Sequence, residues 1–518
     1  MTILQKIDSN VTGLRFAEEV SIGVLAQEEA APSNTDWTPL EPNTYADFGG
    51  QISTVARNPI NPSRQRKKGV TVDKDASGGL NTDLTQKNLQ ELLQGFFFAD
   101  LRRKGEETPT AVTGTTDLFT VAATAGFFVG SLVWATGFAD AGNNGLHVVT
   151  AVTLNTSIEC LGSTLVTDGS PTGKLVVVGF EFAAGDLDVT GTGTLASYTS
   201  TAKTLTELGL IPGEWIYVGG DLAAEAYTSA VNNGFKRIRS ISANSMTVDK
   251  SDSVLVDEAS TTETIRIFLG RVLRNELGSL ITRRTYNLER TLGAPDDASP
   301  AQIQAEYLVG AVPSEFATTI GTADKINADI SFIAIDSEQI LAAATIKSDD
   351  ANATKLALEE ADAFNTSSDF KRIRLSLVSD TNEAPTPLFA RVQEIGLNIN
   401  NNLTPNKAIG VLGAFEVTAG TFQVGGSMTA YFSDNLATQS VQNNDDVTLD
   451  MVIVKQNAGI IIDLPLISLG DGRPNVEQDA PITLPLSMDA ATAAKIATTL
   501  DYTLHMQWFD YLPDAAAA

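Results

Sequence analysis

The side chains that most often carry acid–base or nucleophilic chemistry are scarce in this chain. It contains two histidines, His147 and His505, and a single cysteine, Cys160. Two histidines so distant in sequence do not predict a zinc site, and ordinary sheet positions explain them better than general acid–base roles. A lone cysteine excludes an intramolecular disulfide, and a small apolar strand residue is its simplest interpretation. We therefore expect no catalytic centre at these residues.

One stretch, DKDASGGLNTDL, imitates a calcium-binding loop. Asp73, Asp75 and Ser77 occupy ligand positions, and Gly78 occupies the turn position. The last position must supply a bidentate carboxylate, but it holds Leu84, and no helix is expected before the loop. We predict instead a twisted strand with a bulge at its paired glycines, and no metal or other cofactor for the chain.

Enzyme signatures are missing elsewhere too. GSPTGK (169–174) is one residue short of a phosphate-binding loop, and no helix is expected after it. The 63 acidic residues allow many carboxylate pairs on paper, but no spacing singles out a glycosidase pair. We predict a non-enzyme; a β-rich hydrolase stays open as an alternative without a motif.

Composition describes an ordinary folded chain with a strong acidic excess. Of the 518 residues, 43% are hydrophobic and 19% charged, and the net charge is −28. Such a charge argues against DNA wrapping or sequence reading, which need cations to neutralise phosphates. The chain has no apolar run of membrane-spanning length and no signal-peptide core at its start. We expect a soluble protein that stays where it is made or leaves with a particle.

Residues 57–101 contain the clearest local pattern: a basic loop, a strand and an amphipathic helix. The helix is predicted over 86–101, with Thr85 as its N-cap. Gly95 in its middle costs about 1 kcal/mol relative to alanine, so packing must hold that turn. The apolar positions that share one face, and should pack on a sheet, are Leu89, Leu92, Leu93, Phe96, Phe97 and Leu101.

The loop at 57–69 is strongly basic and has one hydrophobic anchor, Ile60. It is either a plain solvated loop or a loop that becomes ordered against an acidic partner surface. Its cations are Arg57, Arg64, Arg66, Lys67 and Lys68. Residues 1–50, before it, are predicted to be an irregular arm with short strands.

Residues 111–270 contain a weak internal repeat. NNG occurs at 143–145 and 232–234, and Asn-Gly is a strong turn signal between strands. Three further positions match at identical spacing, namely Gly126, Gly130 and Trp134 with Gly209, Gly213 and Tyr217. We predict two β-modules, 111–187 and 188–270; one β-domain with fortuitous similarity is the alternative.

The remaining chain, 271–518, is predicted to be mainly strands. A short helix is expected over 299–311, with Ser299 as its cap and Pro300 at its first position. Apolar residues alternate with polar ones from 388 onward, which predicts strands with one buried and one wet face. The alternating sets are Ile395, Leu397 and Ile399; Phe422, Val424, Met428, Ala430 and Phe432; Val447, Leu449, Met451 and Ile453. The wet, acidic faces could line a water-filled channel or form an ordinary surface.

The segment 57–101 resembles part of the tail tube proteins of long-tailed, siphovirus-like phages, whose middle often reads GGxFNxELS…LDELLxAAL. The upstream stretch 15–50 fits the usual opening of such proteins, and the two regions cover about a fifth of the chain. The matching residues are Gly78, Gly79, Asn81, Asp83, Leu84, Leu89, Glu91, Leu92 and Leu93.

The resemblance implies a mainly β fold: two packed sheets, sandwich- or barrel-like, flanked by the 86–101 helix. The tube domain would combine 1–110 with 271–518, and the two modules would project outward, where they could touch the host surface. Six subunits would form a ring, and the basic loop would contact the next ring.

The same resemblance implies a structural role. Stacked rings would form a tube whose acidic lumen repels DNA phosphates, so that genomic DNA passes through without specific binding. The implied partners are further copies of the chain, the tape measure protein, the tail terminator and the distal tail proteins. The protein would assemble in the host cytoplasm and reside in the virion tail. A β-rich adhesin or surface-layer subunit is the alternative from another class.

Overall fold

Strands dominate the computed structural model of this chain. They hold 49% of the residues, and the described part contains two eight-residue α-helices. No helix in that part is long and apolar enough to cross a membrane. The structure describes residues 12–28, 34–60, 62, 65, 67–162, 165–293, 303–340, 345–358, 361–378, 383–389 and 391–517.

The first half of the chain contributes the elements up to the end of the internal repeat. In chain order they are β1 (Thr12–Glu18), β2 (Thr35–Leu40), β3 (Pro42–Arg57), β4 (Lys67–Asp83), α1 (Gln90–Phe97), β5 (Glu106–Glu107), β6 (Ala111–Thr113), β7 (Leu118–Thr120), β8 (Ser131–Thr136), β9 (Gly145–Thr153), β10 (Ser157–Cys160), β11 (Lys174–Glu181), β12 (Leu187–Thr190), β13 (Ser197–Ser200), β14 (Trp215–Val218), β15 (Gly234–Ile241), β16 (Ser245–Lys250) and β17 (Arg266–Phe268).

The second half contributes longer strands and one further α-helix. They are β18 (Arg271–Arg274), β19 (Tyr286–Leu292), β20 (Ala305–Gly321), β21 (Asn327–Ala334), β22 (Asp336–Ile340), β23 (Ala353–Lys355), β24 (Phe370–Leu377), β25 (Val392–Asn400), β26 (Thr404–Lys407), β27 (Ala414–Thr418), β28 (Gln423–Tyr431), α2 (Leu436–Asn443), β29 (Val447–Lys455), β30 (Ala458–Asp471), β31 (Thr483–Ala491) and β32 (His505–Phe509). Short 3₁₀ turns lie at Ala141–Asn143, Leu205–Leu208, Ala223–Glu225, Ala230–Asn232, Gly278–Leu280, Lys347–Asp349, Ala493–Lys495 and Asp514–Ala517.

Contacts divide the chain into two compact units. Unit 1 comprises Met1–Ala99, Ile281–Phe364 and Glu394–Gly426, and unit 2 comprises Asp100–Leu280, Asn365–Gln393 and Ser427–Ala518. The final strands therefore cluster with the repeat region and not with the opening segment. The four-segment division proposed from the sequence stays a prediction.

Strand β20 organises unit 1. Its first half pairs with β19 and β22, and its second half pairs with β21 and β25. The change of partners occurs around Gly310, whose positive φ of 64° favours glycine, and a register shift follows at Pro313. One strand thus takes part in two ladders. β1 and β2, from the predicted irregular arm, join the first ladder beside β19.

Helix α1 is shorter than predicted. It begins after Leu89, which has no side-chain cap, and ends at Phe98 in the left-handed conformation. Thr85 is therefore not its N-cap: the Thr85 amide donates to the Asn88 side chain, and the Asn88 amide donates back to the Thr85 hydroxyl. This closed turn holds residues 85–88 out of the helix. Leu101 lies beyond the end of the helix, and the six residues predicted to share its apolar face are all buried, namely Leu89, Leu92, Leu93, Phe96, Phe97 and Leu101.

The helix predicted over 299–311 is wrong for the described residues of that range. From Ala305 onward the chain is strand β20, while Ser299 and Pro300 lie outside the described residues. Neighbouring strands on both edges supply backbone partners for 305–309, so sheet pairing overrides the local helix signals.

The internal repeat corresponds to two copies of one strand arrangement within unit 2. The first copy has the order β6-β7-β10-β9-β8-β11, and the second has the order β12-β13-β16-β15-β14-β17. The last strands of the copies, β11 and β17, pair antiparallel with each other. Read by equivalent positions in the two copies, the order of these twelve strands is therefore a palindrome; β5 pairs with β11 outside this order.

The NNG triplets make the same contacts in both copies. The Asn144 side chain accepts from the Phe138 amide at 3.0 Å and donates to the Phe138 carbonyl at 2.9 Å. Asn233 bonds the Tyr227 amide at 3.0 Å and the Tyr227 carbonyl at 2.8 Å. This equivalence argues against fortuitous similarity between the two stretches.

The repeat region shares a hydrophobic core with β29, β30 and β32, all within unit 2. Trp215 and Phe268 from the repeat pack there with Val452 and Phe509, and the rings of Trp134 and Tyr511 lie 4.6 Å apart. As a result β29 is buried on both faces over eight of its nine residues. The predicted wet face of the 447–453 strand is therefore wrong.

Gly95 in α1 allows Tyr286 to approach the helix, which generates a prediction. A Cβ built on Gly95 would lie 2.4 Å from a Tyr286 ring carbon and 2.9 Å from Pro313. We expect Gly95→Ala to lower the free energy of unfolding by about 1–3 kcal/mol, because overpacking outweighs the gain in helix propensity. Urea denaturation measures this.

The matched control is Gly321→Ala, because a Cβ at Gly321 meets nothing within 4 Å. It should leave the free energy of unfolding nearly unchanged. Equal stability of the Gly95 variant and wild type would contradict this account of the helix packing.

Candidate assembly and channel surfaces

The β3–β4 hairpin extends beyond the part of unit 1 that supports it. Residues 50–57 of β3 and 67–73 of β4, which we call the outer hairpin, are mostly exposed. β4 pairs with β21 only over residues 76–83, and no ladder of the described strands other than that with β4 includes β3. The outer hairpin therefore has open backbone edges, which are a template for pairing with another chain.

The outer hairpin also exposes apolar side chains. Val55 lies directly opposite Val70 in the register, and each is more than half exposed, as are Ile52 and Val72. A two-stranded hairpin without a hydrophobic face is marginally stable in water. This segment thus has both backbone and apolar surface available for a partner.

The predicted basic loop lies at the tip of the outer hairpin. Arg57 ends β3, and Lys67 and Lys68 begin β4; all three are exposed. Arg64 and Arg66 lie outside the described residues. The structure therefore brings three of the five predicted cations together at one hairpin end.

Unit 1 also presents a polar sheet face. Strands β25, β20, β21, β4 and β3 pair antiparallel in this order, so directly paired residues share a face. Three rows of that face read Asn400, Glu315, Ser331, Gly79 and Ala46; Asn398, Ala317, Asp329, Asn81 and Thr44; Gly396, Thr319, Asn327 and Asp83.

Carboxylates and amides on this face bind one another across the strands. Asn81 donates to Asp329 at 2.8 Å, and Asn398 donates to Glu315 at 2.5 Å. Lys325 forms an ion pair with Asp83 at 2.6 Å. We call this set of rows the amide–carboxylate face; its charge is mainly negative and its side chains are cross-braced.

The opposite face of the same sheet is buried beneath α1. Phe316, Ile330, Leu80 and Ile399 form one of its rows, and each is at most 4% exposed. The ring of Phe96 from α1 lies 6.0 Å from that of Phe316. The alternation predicted for 395–399 agrees with the structure, in which one face of β25 is buried and the other is accessible to solvent.

Comparison with protein families decides the identity. The sequence model of a family described as phage tail tube protein matches residues 9–210 and 209–490, which together span most of the chain. This chain belongs to the phage tail tube protein family. No curated protein matches it.

This membership makes the chain a structural component of the phage tail. It favours the structural role over the adhesin and hydrolase alternatives. The chemistry-bearing residues of the tail tube protein have surroundings that fit such a role.

Cys160 and His147 lie within the first copy of the repeat, in the core between its strands. Burial raises the pKa of the Cys160 thiol to about 12, so the reactive thiolate is not formed near neutral pH. Burial likewise lowers the pKa of His147, whose ring lies edge-on to Phe119. The carboxylate of Asp117 is close enough to act on both groups, but burial has the larger effect on each pKa.

A buried ion cluster in unit 2 was not foreseen from the sequence. Arg237 binds Asp249 through two nitrogens at 2.8 and 2.9 Å and binds Asp463 at 2.9 Å. Burial alone would raise the pKa of Asp463, but the charges of Arg237 and Lys250 outweigh it and hold that pKa far below its usual range. Arg372 and Asp450 complete a set of three cations and three carboxylates, all less than 10% exposed.

The cluster is electrically balanced, with three cations against three carboxylates. Removing one partner of a buried ion pair leaves an uncompensated charge and costs about 3–5 kcal/mol. The cluster therefore fixes the second repeat copy to β29 and β30.

His505 lies beside this cluster and is fully buried. Its Nε2 lies 3.1 Å from the Gln507 side-chain oxygen, which also accepts from the Trp215 amide. An oxygen acceptor requires Nε2 to carry the proton, while Nδ1 has no hydrogen-bond partner among the described residues. Burial lowers the pKa of His505 to about 4, because a second proton would place an unpaired charge in the core.

This arrangement predicts acid sensitivity. Between about pH 6.5 and pH 4 the unfolded chain protonates His505 and the folded chain does not, so stability falls as the pH is lowered. The loss is about 3 kcal/mol over this window. We expect His505→Gln to remove that part of the pH dependence, as measured by urea denaturation of both proteins at several pH values.

Wild type and variant both retain His147, so the difference between them isolates His505. A stability difference that stays constant from pH 7.5 to pH 4 would contradict the assignment.

Proposed function

We propose that this tail tube protein forms stacked rings, six chains to a ring, whose inner sheets join into the wall of a hollow tube. The outer hairpin is the observation that carries this proposal. Its open edges and exposed valines leave hydrogen bonds and apolar area that a neighbouring copy would complete. The siphovirus-like, flexible type of tail is part of the proposal.

Charge supports contact between rings through the hairpin tip. The tip carries Arg57, Lys67 and Lys68, with Arg64 and Arg66 between them in sequence, whereas the whole chain carries −28. A cationic tip on an acidic protein is attracted to another copy of the same protein. The tip is thus suited to meet the next ring.

The amide–carboxylate face is suited to line the channel. Its carboxylates repel DNA phosphates, and its cross-braced amides leave few free donors that could hold a phosphate. DNA would pass along such a wall without binding to a particular site. The tape measure protein would occupy the same lumen before ejection, with the tail terminator and distal tail proteins at the tube ends. Assembly would take place in the host cytoplasm, and the repeat copies could contact the host surface.

A ring of three chains is the second candidate. Two adjoining stretches match the same family description, so three chains could supply as many tube segments as six chains with one segment each. The mass of an isolated ring distinguishes three chains of 54.8 kDa from six.

Electron microscopy of the purified protein tests the proposal. Negative staining should show hollow rods or stacked rings. Replacing Arg64, Arg66, Lys67 and Lys68 together by glutamine should leave the fold intact but prevent polymerisation, because the attraction between rings is lost. Circular dichroism checks the fold of the variant.

The matched control replaces four exposed cations that lie outside the tip and outside the amide–carboxylate face, namely Lys174, Lys355, Lys371 and Lys495. Exposed charges of this kind contribute little to stability, so tubes should still form. Normal tubes from the tip variant would exclude the tip as the contact between rings, and a wild-type protein that stays monomeric under all conditions would exclude the tube.

Cysteine labelling tests which face lines the channel. The native Cys160 is buried and its pKa is raised to about 12, so the introduced cysteine should give most of the signal. In assembled tubes, Thr319→Cys on the amide–carboxylate face should react with a small maleimide but not with a maleimide carried on a large gold particle, because the lumen excludes the particle.

The control is Thr153→Cys at the exposed end of β9, which should react with both reagents. Reaction of Thr319→Cys with the gold reagent in intact tubes would place this face on the outside.

A further inference from the structure

We propose that the hairpin formed by β26 and β27, residues 404–418, is a second contact site at which a neighbouring copy of this chain binds. This short hairpin is separate from the basic tip and from the amide–carboxylate face. The inference rests on the proposed tube, and it names a surface that the tube requires in addition to the outer hairpin.

The end of the short hairpin is apolar and open to solvent. Ile409 is fully exposed, and Val411, Leu412 and Phe415 each have about half of their surface exposed. Four large apolar side chains within seven residues exceed the scattered exposure that is normal for a monomer surface. β26 and β27 form a sheet of their own, so the tip is not covered by a ladder of unit 1.

The base of the short hairpin is firmly held, so the tip is presented in a fixed position. Ala414 and Val417 are buried. Gly413, at a φ of 93°, approaches the Lys74 carbonyl so closely that a Cβ would lie 3.2 Å from it. Lys407 also forms exposed ion pairs with both Asp73 and Asp75 of β4, which mark where the hairpin meets the foot of the outer hairpin, although the buried base contributes more to its position.

The short hairpin adjoins the outer hairpin at the foot of β4. Lys407, at the end of β26, binds Asp73, which pairs with Ser53 of β3. Beyond this pair the ladder shifts register, and the exposed Val55 and Val70 then lie opposite each other. The apolar tip of the short hairpin therefore begins beside the foot of the outer hairpin.

Because the two hairpins adjoin each other, the molecule that covers the short hairpin can be inferred. A tail tube is built from many copies of its subunit, and the outer hairpin is the surface that we assign to contact between them. The apolar tip of the short hairpin adjoins the outer hairpin, so it would be buried when two copies associate there. A second copy of this chain is therefore the partner. The recognition is apolar burial by Ile409 and Leu412, framed by the Lys407 ion pairs.

The test compares two double variants with wild type. Ile409→Ser with Leu412→Ser should raise the critical concentration for tube assembly at least tenfold, as measured by sedimentation and light scattering. The melting temperature of the unassembled subunit should not change, because both side chains are already exposed. The control is Leu154→Ser with Leu161→Ser, two residues that are 79% and 63% exposed in the first repeat copy; it should assemble within twofold of wild type.

Each outcome decides one question. A critical concentration equal to that of wild type would overturn the short-hairpin contact while leaving the tube proposal standing. An equal rise in the control would show that loss of exposed apolar area anywhere is sufficient, which also overturns the specific contact. Wild-type protein that never associates, with or without tail-tip seeds, would overturn both proposals.

Discussion

The need to pair backbone hydrogen bonds along β20 determines how unit 1 is built. A strand of 17 residues cannot stay flat within one twisted sheet, and here it changes partners around Gly310. Everything that we assign to function in unit 1 follows from its second half. That half has the amide–carboxylate face on one side and the row beneath α1 on the other. It pairs with β21, which pairs with β4, which in turn pairs with β3. The open edge of β3 is where this sequence of pairings stops within one chain.

Unit 2 is organised by a shared apolar core and a buried ion cluster. Its repeat copies do not behave as loosely attached decoration, because Trp215 and Trp134 pack into the core that contains β29, β30 and β32. The ion cluster around Asp463 adds buried charges to that core, and these charges must remain paired. Burying these charges gains little net stability over an apolar core, but the ion pair between Lys250 of β16 and Asp463 of β30 requires these two strands to pack in one relative position.

Sequence patterns predicted the parts of this structure that depend on neighbours along the chain. Asn144 and Asn233 marked the two repeat copies because a turn is a local device, and the spacing of Leu92, Leu93 and Phe96 marked the apolar face of α1. The start of that helix was missed because Thr85 and Asn88 bond each other in a separate turn. The N-cap pattern in the sequence does not distinguish such a turn from the first turn of a helix. The strand at 305–311 was missed because its partners, β19 and β22, override local propensity. The ion cluster and the short hairpin were not foreseen, since Arg237 and Asp463 are more than 200 residues apart and the exposure of Ile409 depends on where its hairpin lies.

The palindromic strand order has a structural consequence. The last strands of the two copies, β11 and β17, meet antiparallel, and equivalent strands that meet in this way are related by a twofold axis, as in a symmetric dimer. Joining the copies in one chain makes that pairing intramolecular and independent of protein concentration. The region thus has the architecture of a homodimer joined in one chain, in which Phe180 and Ile267 face each other at the junction of the two copies. The copies are not equivalent in charge, because the second contributes Arg237 and Lys250, which bind Asp463 of β30.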